Sequence, residues 1–298
     1  MSPGAIPKLL KETGYEWHAD RVPRLGAALA FYTLFSLAPL LVVVIAIAAL
    51  GFGREIASTQ LIKQIETFIG PEGARVIQAT IENTSRPSSG ITATLIGLAT
   101  MLFGTTIVFT ELQDALNMIW KVTLKPGRSM AIGLMWDRFL AFTVVLGMSV
   151  LLLLSILATA VLHAILPIFG TLLPSQVDWL QTVNFGFSLV VVTLLFVMVY
   201  KVLPDVEIPW EAVLVGAVVT GVLFMIGKFL IELYLRYSAT AAVYGAAGSL
   251  VILLMWIYYS AQIVYFGAEF TKVYAKHRGY KVVPTEDVAS MTQENVVK

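Results

Sequence analysis

Between Leu25 and Gly53 the chain carries no Asp, Glu, Lys, Arg or His, and Phe139 to Leu162 is uncharged again. Crossing a hydrocarbon core about 30 Å thick takes about 20 helical residues, and a soluble core helix has no use for so long an uncharged run. Six apolar runs are predicted to cross, at 25–50, 91–116, 139–166, 180–203, 211–235 and 244–270, which makes the chain an all-α, polytopic transmembrane helix bundle. The breaks carry helix-stopping chemistry: Lys125-Pro126-Gly127-Arg128, then Pro167 and Pro174, then Pro204 and Pro209. Proline lacks the amide donor that a helix interior requires. Pro39 falls inside the first run and predicts a kink there rather than an end.

The connection 51–90 is too patterned for a simple loop. Leu61, Ile62, Ile65, Phe68 and Ile69 recur at helical spacing, as do Ala74, Ile77 and Ile81, with Gly70-Pro71 between the two sets. This predicts an amphipathic helical hairpin between the first two spans on the outer face, which packs as a cap, lies at the interface or docks a partner. The chain then divides into a polar N-terminal segment 1–24, a six-span domain 25–270 and a C-terminal tail 271–298.

Charge sets the orientation. Fourteen Lys and Arg fall in the N-terminal segment, the second-to-third and fourth-to-fifth connections and the tail, against five (Arg54, Lys63, Arg75, Arg86, Arg236) on the other side. Cytoplasmic loops collect the basic residues, so both termini are expected in the cytoplasm, as an even number of spans also requires. Ala46-Ile47-Ala48 has the small-x-small form of a cleavage site but lies within a full-length span, so the run is read as a retained helix. With 58% hydrophobic and 13% charged residues and a net charge of +1, the chain has no basic footprint for nucleic acid. It has no cysteine, and three scattered histidines, His18, His163 and His277, do not make a zinc site by themselves.

Ionisable groups at membrane depth are expensive and mark candidate sites. Glu111 and Asp114, three apart near the end of the second span, share a helix face; an ion pair at the helix end competes with a pathway role. Lys228, Glu232 and Arg236 follow one another at spacing four on the fifth span, either lining a polar cavity or snorkelling outward. The last span places Tyr258, Tyr259, Gln262 and Tyr265 at depth, and the Gln262 amide has to find partners within the bundle. Glu269 with Lys272 is read as marking that span's cytoplasmic end. No Walker-type phosphate loop, His-Glu-x-x-His or Gly-x-Ser-x-Gly motif is present, so no enzymatic chemistry, cofactor or metal is expected.

Ala30-Phe31-Tyr32-Thr33-Leu34-Phe35-Ser36-Leu37-Ala38-Pro39-Leu40, Leu203-Pro204-Asp205-Val206 with Trp210, Tyr244-Gly245-Ala246-Ala247-Gly248-Ser249-Leu250, Trp256-Ile257-Tyr258-Tyr259 and Gly267-Ala268-Glu269 occur in order. In these the chain resembles the YihY/virulence factor BrkB family over roughly 20–275. The resemblance implies a bacterial inner-membrane protein of about six helices. It also implies an envelope role, including lipid or glycolipid movement with a periplasmic lipid-conducting partner. A ribonuclease label has been attached to the family, but the residues here offer neither a metal-binding histidine cluster nor a basic face for RNA. The leading expectation is a transport component for lipid or another amphipathic substrate, in contact with membrane lipids and without nucleic acid. Lys228, Glu232 and Arg236 would receive a headgroup, with Gln262, Tyr258, Glu111 and Asp114 along the pathway. A non-transporting scaffold and a small-solute secondary transporter are the alternatives.

Overall fold

Helices dominate the described residues. The computed structural model describes residues 5–53, 107–124, 179–237, 248–285 and 288–290, with isolated positions between 55 and 82 and between 143 and 154. In chain order the elements are α1 (Ala5–Ala19), α2 (Val22–Phe52), a helical stretch at 107–119, β1 (Val122–Leu124) and α3 (Trp179–Val202). They continue with β2 (Val206–Glu207), α4 (Trp210–Tyr237), α5 (Gly248–His277), β3 (Val283–Pro284) and β4 (Val288–Ser290).

Three helices among the described residues have stretches long and apolar enough to cross a membrane: Phe185–Val202, Trp210–Ile231 and Leu250–His277. Pro204 and Pro209 bracket the break between α3 and α4, as expected. α2 runs 31 residues and passes through Pro39 without ending. The runs 91–116 and 139–166 fall mostly outside the described residues, as does the path of the 51–90 hairpin. Leu61, Ala74 and Ile77 are buried, matching three of its expected apolar positions. On α4 the large residues Leu214, Val218, Val222, Ile226 and Leu230 stay exposed in successive turns. A continuous apolar stripe of this kind on one helix face is what a lipid-facing surface needs.

Two features depart from the sequence reading. Residues 5–19 form a helix, because Leu9, Thr13, Glu16 and Asp20 recur at spacings of four, three and four and give it one inward face. Leu9 and Thr13 are buried, and the Thr13 hydroxyl donates to the Leu9 carbonyl at 2.7 Å. The end of the chain is not a plain tail, either. α5 extends to His277, β3 pairs antiparallel with β2, and β4 pairs antiparallel with β1. These ribbons of two or three residues are too short for alternation to reveal.

α4 and α5 meet through two glycines. A Cβ at Gly216 would overlap the Thr271 hydroxyl, and one at Gly267 would overlap the hydroxyls of Thr220 and Tyr200. Each threonine turns its own hydroxyl onto the carbonyl four residues back, Thr220 to Gly216 and Thr271 to Gly267, both at 2.7 Å. Tyr200 on α3 joins the same contact, donating to the Val264 carbonyl at 2.7 Å and lying 2.9 Å from the Thr220 hydroxyl. Small residues allow such close approach between apolar helices, where burial alone supplies no preference for helix over lipid.

The reciprocal packing gives a specific expectation. Gly216→Ala lowers thermal stability in detergent by about 1–3 kcal/mol through overpacking. Thr271→Ala added to it recovers part of the loss, whereas Thr220→Ala does not. Equal recovery by both threonine variants would show that the two contacts are not separate.

Candidate functional site

The polar groups that matter gather where α1, α5 and the end of the 107–119 helix meet. Glu12, Glu16 and Asp20 follow one another at spacing four along α1, and Glu269, Lys272 and Lys276 follow at three and four along α5. The two rows interlock in antiparallel register. Lys276 lies 3.2 Å and His277 2.6 Å from Glu12, while Lys272 reaches Glu16 at 3.0 Å and Asp20 at 3.2 Å. The Lys272 ammonium also sits 2.6 Å from Glu269, whose side chain is fully buried. Lys121 closes the group from the other side by pairing with Asp20.

Two backbone positions hold this arrangement in place. Arg21 and Lys121 both adopt left-handed conformations, at φ of 52° and 56°. That geometry is unfavourable for a residue with a Cβ, by roughly 1–2 kcal/mol. Arg21 turns the chain between α1 and α2 and leaves Asp20 facing α5; Lys121 ends the 107–119 helix and presents its own ammonium to Asp20.

Carboxylate oxygens of Glu16, Asp20 and Glu269 lie within 4.8 Å of one another, a spacing that suits a bound cation. The Lys272 ammonium is within 3.2 Å of each of the three carboxylates, so the protein supplies that cation itself. Burial works against charge on Asp20, but Lys121, the adjoining Glu269 carboxyl and Lys272 together hold it below the usual carboxylate range. Glu12 is likewise held low, first by its hydrogen bond to His277, against a smaller effect of burial, with help from Lys276.

A second polar joint fixes the α3–α4 turn. Asp205 accepts from Asn117 at 2.7 Å and from Gln113 at 3.2 Å, its amide donates to Asn117 Oδ1 at 2.9 Å, and Thr285 donates twice to its carbonyl. Lys201 donates to the Ile208 carbonyl at 2.6 Å and lies over the Trp210 ring. These contacts pin turn, helix end and C-terminal segment together.

Five of the seven residues expected to form the site have described side chains. Gln262 and Tyr258 lie on one stripe of α5, where a Cβ at Gly26 on α2 would collide with the Gln262 amide. Glu111 is half-buried and within electrostatic reach of the Tyr265 hydroxyl, while Asp114 is exposed. Lys228 is half-buried on α4. The side chains of Glu232 and Arg236 lie outside the described residues. The sequence reading passed over Gln113, between the acidic pair, and Asn117, three residues beyond it, and over Glu16, Asp20 and Lys121. The spacing of four along Glu12, Glu16 and Asp20, set against the basic row of α5, was the available signal. Glu269 was read as a helix end, and the structure buries it completely.

An apolar groove of about 300 Å3 runs between α4 and α5, lined by Leu230, Ile231, Tyr234, Met255, Tyr258 and Tyr259. At the ionic end a more polar cavity of about 410 Å3 is lined by Trp120, Tyr280, Lys272 and Lys276, among others.

Removing Lys272 strands three carboxylates together, so Lys272→Met is expected to lose about 3–5 kcal/mol of stability, the range for a broken buried pair. Adding Glu269→Gln recovers part of that loss in thermal unfolding. Acid acts in the same direction. Glu12 and Asp20 are held below their ordinary values of 4.5 and 3.8, so the stability they contribute is complete above those values. It is lost as pH falls through the lowered folded-state values. Spin labels at Tyr15→Cys and Lys281→Cys should therefore report a narrow distance distribution at neutral pH that broadens below about pH 4. An unchanged distribution at pH 3 would contradict the assignment.

The profile of the virulence factor BrkB family matches residues 13–292. Among curated relatives, a UPF0761 membrane protein of Stenotrophomonas maltophilia is 25% identical over 268 residues, covering 88% of this chain and 60% of the relative. The corresponding protein of Psychromonas ingrahamii is 29% identical, covering 85% of this chain and 82% of its own. That of Pseudomonas aeruginosa is 28% identical, covering 84% and 58%. The chain thus spans about 60% of the length of the Stenotrophomonas relative. No solved structure matches it. With three helices long and apolar enough to cross a membrane and a family match over nearly its whole length, this integral membrane protein belongs to the virulence factor BrkB family.

Proposed function

We propose that the protein is a non-enzymatic transport component that moves a lipid or another amphipathic envelope substrate across or along the bacterial inner membrane. The observation that carries this reading is the α4–α5 groove, whose lining is almost wholly apolar and whose Tyr234 and Tyr258 remain exposed at its edge. Such a groove accepts an acyl chain by simple burial, at roughly 25 cal/mol per Å2 of apolar surface covered. Lys228, Glu232 and Arg236 belong to the helix that forms one wall, and in this reading they receive the headgroup.

The same reading places six spans in the membrane, with both termini and the Glu269–Lys272 cluster cytoplasmic. It puts the 51–90 hairpin outside, available to a periplasmic lipid-conducting partner. Its support is the uncharged length of α2, the three long apolar helices and the excess of basic residues at one end.

Reconstitution in liposomes tests it. Headgroup-labelled phospholipid should exchange between leaflets faster than in protein-free vesicles. Leu230→Trp, which fills the groove, should lower the rate at least tenfold while the protein still inserts. Lys228→Ala should lower it selectively for anionic headgroups. Wild-type rates from Lys228→Ala, Glu232→Ala and Arg236→Ala would remove the headgroup assignment. No exchange at all, with a stable co-purifying partner, would leave a membrane scaffold.

A further inference from the structure

The acidic and basic groups of α1 are sorted onto opposite faces. Glu12, Glu16 and Asp20 turn towards α5 and are taken up by Lys276, His277, Lys272 and Lys121. Lys8, Lys11, Tyr15 and His18 follow one another at spacings of three, four and three, and all four are exposed. Arg21 and Arg24 carry the basic character through the turn into α2 and are exposed as well. No acidic residue is among the exposed positions described between 7 and 35.

Within the chain this face has no use. Among the described residues, no ion pair or side-chain hydrogen bond holds Lys8, Lys11, Arg21 or Arg24. Arg21 is also an unfavourable place to keep a long side chain. Its φ of 52° lies in the left-handed region, which glycine enters without a clash. Lys121, the other described non-glycine residue there, commits its ammonium to Asp20, whereas the Arg21 guanidinium points to solvent. A strained position that keeps an exposed charge points to a role outside the fold.

Depth identifies the partner. α4 and α5 run antiparallel, with Gly216 against Thr271 and Gly267 against Thr220, so Trp210 lies about level with His277. Glu12 meets Lys276 and His277, and Glu16 meets Lys272. α1 therefore stands level with the first turns of α4, where the exposed apolar stripe begins at Trp210 and Leu214. The uncharged run of α2 begins at Leu25, four residues after Arg21. These two marks bracket the layer in which hydrocarbon gives way to headgroups, and the exposed Tyr15 ring suits that layer.

We propose that the outer face of α1, with Arg21 and Arg24, docks on anionic phospholipid headgroups of the leaflet that α2 enters. The match is one of charge: a row of fixed positive groups meets a layer of phosphates at the same depth. Each basic side chain that reaches an anionic surface favours it about fivefold, and salt screens such contacts. Headgroups then hold α1 from outside while the α5 row holds it from inside, so the charge of the leaflet sets how firmly the first helix is seated. In the orientation proposed above this is the cytoplasmic leaflet. The docking depends neither on that orientation nor on what occupies the α4–α5 groove, so failed lipid exchange leaves it standing.

The test uses the full chain in phosphatidylcholine bilayers, with a fluorophore on Tyr15→Cys, the chain having no cysteine of its own. Phosphatidylglycerol or phosphatidylcholine bearing a nitroxide beneath its headgroup is added at the same low fraction, and the quenching is compared. At low salt the anionic lipid should quench about threefold more effectively than the zwitterionic one, and added salt should reduce the difference. Lys8→Gln, Lys11→Gln, Arg21→Gln and Arg24→Gln combined should abolish the preference. Arg21→Gly alone should lower it without lowering thermal stability, because glycine adopts the turn freely; a guanidinium with only a structural role would show the reverse. The comparison in the otherwise unaltered chain decides the matter even where a further variant fails to fold. Equal quenching by both lipids there, or an unchanged preference in the combined variant, would overturn the proposal. Quenching by neither lipid would also overturn it, leaving the face clear of the bilayer and open to a soluble acidic partner.

Discussion

The Lys272 ammonium, held among Glu16, Asp20 and Glu269, is the interaction on which the arrangement of the ionic end depends. In low dielectric, carboxylates this close repel strongly unless a cation lies between them. That requirement docks α1 against α5, sets the register of the two rows and makes the turn at Arg21 necessary. The same antiparallel register continues from α1 into α2, where Gly26 meets Gln262. An ionic contact at one end of α5 thereby fixes how α1 and α2 line up along the rest of it.

Inside the apolar zone different forces operate. Lipid competes equally for apolar surface, so α3, α4 and α5 are selected for one another by close fit and by hydroxyls. The paired motifs Gly216/Thr220 and Gly267/Thr271 supply both, with Tyr200 bonded across them. The result is a close contact of three helices at the level of these glycines, with the α4–α5 groove lined by Leu230 and Tyr258 elsewhere along the same pair.

How much was legible in the sequence differs sharply between fold and site. Apolar length placed α3, α4 and α5 to within a few residues over most of their ends, because a helix crossing hydrocarbon has to be mostly apolar over that distance. Candidate residues were harder, because a carboxylate's meaning depends on what lies across from it. Glu269 looks the same in sequence whether it ends a helix in water or is buried beneath α1. Gln262 was legible, since an amide at depth needs partners wherever it points. Tyr258, Gln262, Tyr265 and Glu269 form one stripe by spacing alone, but nothing in the spacing says that α2 offers a glycine opposite.

By itself, then, the sequence determined the solvent: a chain with such runs has to satisfy its backbone within helices and face them to lipid. It also determined the helix ends at Pro204 and Pro209, since a missing amide donor acts locally, without reference to the rest of the fold. The tertiary structure decided which polar groups meet. Asp205 with Gln113 and Asn117, Lys121 with Asp20, and β1 with β4 join residues far apart in the chain. Local propensity carries no record of such pairings, because they arise only when the packed helices have brought the partners within bonding distance.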